Sequence, residues 1–225
     1  MTANCALTVG CCPTPSAGCA AHAARHNTPG SSRVELTVLP LTPARWADLE
    51  AIFNARGCSV ARGCWCMFYR RSGAHPPPPT GSTRAKANKK ALKRLVEAGQ
   101  TPGLVGYRSK VPVGWVSIGP REDYAKLARS PVMKPVDDQS VWSVICFVVP
   151  AQYRGQGVAR ALLAAAVAYA RKHGAGLIEA YPVDRPGRSR DDAMWFGAKS
   201  MYDKAGFSEV ARRKPQRPVV RLRAA

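Results

Sequence analysis

The sequence predicts an α/β fold built on a mixed sheet, and three observations predict it. Short apolar, β-branched runs are separated by amphipathic helical stretches. The most apolar run, Val141 to Val149, leads through a glycine-bearing turn into the longest helix. The chain then finishes as two strand runs joined by a basic turn. Read from end to end the order is β-α-α-β-β-β-α-β-α-β-β, which is not the regular alternation of a doubly wound sheet.

Val34 to Leu39 alternates apolar and polar residues and reads as a strand. Thr42-Pro43 then starts a helix in which Trp46, Leu49, Ile52 and Phe53 recur at three- and four-residue steps, ended by Gly57. Gly57 to Arg71 holds Cys58, Cys64 and Cys66 with a run of aromatics. His75 to Gly81 is a stiff proline linker. Ser82 or Thr83 caps a second helix that runs to Ala98 and stops at Gly99, with Leu92, Leu95 and Val96 as its buried stripe. Its other face is basic, from Arg84 to Arg94.

Leu104–Tyr107 and Val111–Ile118 form a hairpin. Arg121 to Arg129 reads as a charged helix-like stretch, and Pro131 to Gln139 as a loop. After the central strand, residues 154–173 form a helix with Val158, Leu162, Ala165, Val167 and Ala168 facing inward. Leu177–Tyr181 is a strand, and Pro182 to Gly197 a loop carrying Asp184, Asp191 and Asp192. Lys199–Ala205 is a short helix stopped by Gly206. Phe207–Arg212 and Pro218–Leu222 are the last strands.

Composition bounds the function. The chain has 225 residues, 46% hydrophobic and 21% charged, enough for one sizeable domain. No apolar run is long enough to span a bilayer, so no membrane role is expected. Thirty-four basic against 14 acidic side chains leave a formal +20, a surface that attracts anions. Residues 1–33 carry no helical or strand period and read as a poorly ordered Ala/Cys/Pro-rich tail. Residues 34–225 read as the single folded domain. Met1 to Val9 lacks the basic start and apolar core of a secretory signal, so a reducing cytoplasm is expected, with most of the eight cysteines free. Cys5, Cys11, Cys12 and Cys19 lie in the tail. Cys58, Cys64, Cys66 and His75 could hold zinc, but their spacing lacks paired Cys-x2–4-Cys hooks, so no metal is expected.

The chemistry-bearing motif is Phe147-Val148-Val149-Pro150-Ala151-Gln152-Tyr153-Arg154-Gly155-Gln156-Gly157-Val158-Ala159. A helix start presents backbone N–H groups that lack intrahelical partners, and its dipole favours an anion there. Gly155 and Gly157 let a diphosphate approach the backbone. The spacing is neither that of the P-loop nor Gly-x-Gly-x-x-Gly, because position 160 is Arg.

Gln152-x-x-Gly155-x-Gly157 in this setting resembles the pyrophosphate loop of the GCN5-related N-acetyltransferase (GNAT) family. Tyr202-x-x-x-Gly206-Phe207 is similar to a second family feature, and Cys64-Trp65-Cys66 resembles one branch of that family. The resemblance covers roughly residues 34–223. It implies the acyl-CoA N-acyltransferase fold, with acetyl-CoA as co-substrate and an amine as acceptor. It implies that the backbone of Phe147, Val148 and Val149 holds the pantetheine arm. The amides of Arg154, Gly155, Gln156, Gly157, Val158 and Ala159 would hold the pyrophosphate. It also implies that Tyr202 protonates the departing thiolate as the amine attacks directly in a ternary complex.

A protonated amine needs a base or a water chain. Glu179 and Asp184 are the candidates, since Trp142 to Val149 holds no carboxylate or histidine. The acceptor is a small molecule or a protein amine, and the protein a monomer or homodimer. Two other readings remain: a nucleic-acid-associated module using the basic helix, and an acyl-CoA sensor without turnover.

Overall fold

The computed structural model describes residues 36–71, 82–185 and 194–224. The expected tail, the strand start at Val34, the His75–Gly81 linker, and Asp191 and Asp192 lie outside the described residues. β1 (Thr37–Pro40) passes through a 3-10 turn at Pro43–Arg45 into α1 (Trp46–Asn54). Pro43 fits that first turn because a helix start asks nothing of its missing N–H. Trp46, Leu49, Ile52 and Phe53 form the buried stripe.

A short helix, α2 (Ser59–Cys64), follows, and the sequence does not announce it. It is only six residues long and buries none of them, so it leaves no periodic apolar signal. α3 (Ser82–Glu97) buries Leu92 and Val96, and Asn88 Nδ2 donates to the Gly63 carbonyl at 2.9 Å, tying α3 to α2. Arg84, Lys86, Lys90, Lys93 and Arg94 are exposed.

β2 (Gly103–Arg108) and β3 (Val111–Pro120) make the expected hairpin. The stretch from Arg121 to Arg129 is not a helix beyond one 3-10 turn at Arg121–Asp123. A tertiary bond wins over local periodicity here: the Lys126 amide donates to the Tyr69 carbonyl at 3.1 Å. β4 (Trp142–Val148) is followed by α4, which spans Val158–Lys172. Residues 154–157 form its approach. The inward face of α4 is Val158, Leu162, Leu163, Ala166, Val167 and Ala170. Ala168, expected inside, is exposed. An alanine-rich stretch carries too little hydrophobic contrast to fix the helix phase.

β5 (Leu177–Ala180), α5 (Lys199–Asp203), β6 (Ser208–Lys214) and β7 (Arg217–Arg223) complete the chain. The sheet order is β1-β2-β3-β4-β5-β7-β6. Among the described strands, β4 and β5 are the one parallel pair, and β7 inserts between β5 and β6. One apolar layer packs α4 against Val116, Ile118, Val144 and Phe147. Another packs α1 and α3 against Val105, Trp115 and Val148. β4 is therefore covered on both faces, as its largely apolar sequence requires.

Candidate active site

The site arises where β4 loses its neighbour. β4 pairs with β5 only over Trp142–Val144, against Ile178–Ala180. From Ile145 on, β3 is the one described strand still paired with it. A cavity of about 840 Å³ opens at this split, a size typical of small-ligand sites. The last residues of β4, the turn after it and the first turn of α4 line one side. α2, Phe68, Tyr69 and Met194–Trp195 line the other.

The turn is built to leave backbone groups open. Gly155 and Gly157 have φ of +72° and +79°, the left-handed region that favours glycine. A Cβ added at Gly155 would meet nothing within 4 Å, so the position faces open space. Gly157 is the N-cap of α4, with no side-chain cap and no acidic residue in the first turn. The helix start thus offers an uncapped N-terminus to an anion. Arg160 and Lys204 add positive charge to the lining. Arg154 ties the turn to its surroundings: Nε donates to the Val149 carbonyl at 2.9 Å and Nη2 to the Gly57 carbonyl at 2.6 Å.

Of the residues expected around the acyl donor, Phe147, Val148, Val149, Arg154, Gly155, Gly157, Val158 and Ala159 all line this cavity. Gln156 does not. Its side chain turns back and donates to the Gln152 carbonyl at 2.6 Å. The Phe147 amide already donates to the Trp195 carbonyl at 2.7 Å.

The three expected catalytic side chains are not brought together, and none lines the cavity. Tyr202 is fully buried, and its hydroxyl donates to the Phe196 carbonyl at 2.8 Å. Burial pushes its phenol well above the ordinary range. Glu179 is also fully buried, as the hub of an ion-pair network. Its Oε2 accepts from Arg221 Nε at 2.8 Å, and its Oε1 accepts from Arg121 and, at 2.7 Å, from the Tyr181 hydroxyl. Arg221 continues to Asp137 at 2.6 Å. Both carboxylate oxygens are therefore occupied. Asp184 is on the surface, paired with Arg212 at 2.7 Å.

The cavity also contains groups to which the sequence analysis gave no part in the transfer. Tyr69 and Tyr153 are the phenols in its lining, and Cys58, Cys64, Cys66 and Cys146 its thiols. Burial raises the Tyr69 phenol. Among the described lining residues there is no carboxylate and no histidine. Nor do the described residues bring three His, Cys, Asp or Glu side chains together as a metal site. Among them, no helix is long and apolar enough to cross a membrane.

A mixed sheet that splits in front of a glycine-turned helix start defines an acyl-CoA N-acyltransferase fold. The Acetyltransferase (GNAT) family model matches residues 68–190, and the chain belongs to that family. A GNAT-family protein from Desulfovibrio desulfuricans superposes with a TM-score of 0.50 at 16% identity, covering 85% of this chain and 100% of that one. A mosquito arylalkylamine N-acetyltransferase-like protein also gives 0.50, at 12% identity, covering 84% and 100%. At such identities the likeness is one of fold. No curated protein matches the chain. Acetyl-CoA is the family's co-substrate. The uncapped α4 start, the open Gly155 and the cations beside them suit its diphosphate, and the apolar wall of β4 suits its pantetheine arm.

Proposed function

We propose that this protein transfers an acetyl group from acetyl-CoA to a primary amine carried on an apolar or aromatic body. The observation that carries the reading is the cavity at the β4–β5 split, with an anion-ready helix start on one side and apolar side chains on the other. Five large apolar side chains are exposed among the described residues, and Val60, Phe68 and Trp195 of these line this cavity. Exposed apolar surface gathered in this way marks a binding face.

The amine attacks the thioester carbon, the C–S bond to CoA breaks, and as the new amide nitrogen gives up one proton the thiolate takes one. Tyr69 supports that last step better than Tyr202, because it lines the cavity and burial keeps it protonated. An amine entering this largely apolar lining loses solvation, which disfavours its ammonium form. The acceptor therefore binds neutral, and neither Glu179 nor Asp184 is needed as a base.

The test is a thermal-shift titration with acetyl-CoA and CoA at two salt concentrations, followed by a panel of amines. Ligand at about a hundred times its Kd adds roughly 2.7 kcal/mol, a rise of about 5 to 10 °C for a chain of this size. Acetylation of arylalkylamines ahead of polyamines is expected. The absence of any shift would overturn the donor site, and preference for polyamines would overturn the acceptor class.

A further inference from the structure

Cys66 and Cys146 are cavity thiols that the acyl-transfer reading leaves unused. Their environment is specific. The strand register pairs Trp115 with Val148 and Ser117 with Cys146, so Trp115 and Cys146 share one face of the sheet. The segment after α2 lays Cys66 over that face. The Trp115 indole N–H donates to Cys66 Sγ at 3.3 Å, and Cys146 packs into the same cluster as Trp115 and Cys66. The indole donor favours the Cys66 thiolate, and the Arg70 guanidinium adds to the effect. The Cys66 thiol is held below the ordinary value, first by the Cys146 contact, while that same contact and burial push Cys146 well up.

The backbone is a second, independent observation. Trp65 and Cys66 have φ of +49° and +51°, unfavourable for residues with side chains. Trp65 holds this turn by stacking on Phe53 and Trp46 at 4.8 and 5.9 Å. The strained turn keeps Cys66 against Trp115.

We propose that Cys66 and Cys146 form a peroxide-responsive thiol pair in the cavity wall. The Cys66 thiolate attacks one oxygen of hydrogen peroxide or an alkyl hydroperoxide, the O–O bond breaks, and hydroxide or alkoxide leaves with Cys66 as sulfenic acid. The Cys146 sulfur then attacks Cys66 Sγ. A disulfide forms, and the sulfenic oxygen leaves as water with the Cys146 proton. The bond ties the segment after α2 to β4 and narrows the acyl-donor cavity.

The experiment treats reduced full-length protein with hydrogen peroxide, with and without dimedone, and maps peptides by mass. A Cys66–Cys146 disulfide that dithiothreitol reverses is expected. Cys146→Ser should accumulate the dimedone adduct on Cys66, and Cys66→Ser should carry none on Cys146. Oxidation confined to other cysteines, or an adduct on Cys146 in place of Cys66, overturns the pair. If a variant does not fold, iodoacetamide labelling of the unmodified protein at neutral pH decides. Cys66 must then react ahead of Cys58 and Cys64. The peptide map does not depend on the acyl-transfer reading, because reduced protein that fails to bind CoA overturns only that reading.

Discussion

The two halves of β4 carry opposite kinds of polar chemistry. Its first half, Trp142–Val144, is paired on both edges and adjoins the Glu179 network, where every carboxylate oxygen has a partner. Its second half, Ile145–Val148, has lost β5, and there the thiols, the open glycine turn and the cavity gather. A fully paired sheet absorbs charge into structure. An interrupted one leaves backbone and side-chain groups for a ligand. Glu179 and Cys146 lie on neighbouring strands of one sheet, and the local state of pairing separates their roles.

The largest effect that would break this comparison is on the open half. Gly157→Glu puts a carboxylate and a strained backbone where the diphosphate would sit, so the acetyl-CoA thermal shift should vanish. A retained shift would move the donor elsewhere. Next comes the closed half. Glu179→Ala strands Arg121 and Arg221 in a buried site and should cost about 3 to 5 kcal/mol. The melting temperature should fall by about 10 °C, with CoA binding retained by the protein that remains folded.

The tyrosines sharpen the contrast. Tyr69→Phe should lower kcat by about 10²-fold or more while KM for acetyl-CoA stays level. Tyr202→Phe leaves the Phe196 carbonyl unpaired and should cost about 1 to 3 kcal/mol of stability with little change in kcat. The reverse pattern would return the acid role to Tyr202. The smallest effect is in the pH dependence of thiol labelling. Burial pushes Cys64 up to about 11, whereas Cys66 is held down by its contacts with Cys146 and Trp115. Cys66 alkylation should therefore level off at lower pH, while that of Cys64 still rises. Coincident profiles would remove the distinction.

Much of this was legible in the sequence because local physics decides it. The apolar run of β4, the two glycines and the alanine-rich helix follow one another directly, so strand, anion turn and helix could be read in order. Glu179 and Tyr202 could not be assigned in the same way. A carboxylate on a strand looks the same in sequence whether it faces a ligand or two arginines from distant segments. Tyr202 likewise sits at the right junction, but its hydroxyl reaches a carbonyl that only folding brings near. α2 was hidden because six residues with no buried side chain leave no period.

The sequence by itself determined the fold class, the order of its strands and the anion-ready turn, since each depends on residues close together in the chain. The tertiary structure decided which side chains face the cavity. That choice depends on where β5 leaves β4, on β7 inserting beside β5, and on the segment after α2 folding over Trp115. These are long-range pairings, and their free energy comes from burial and charge pairing between segments that carry no mark of each other in sequence.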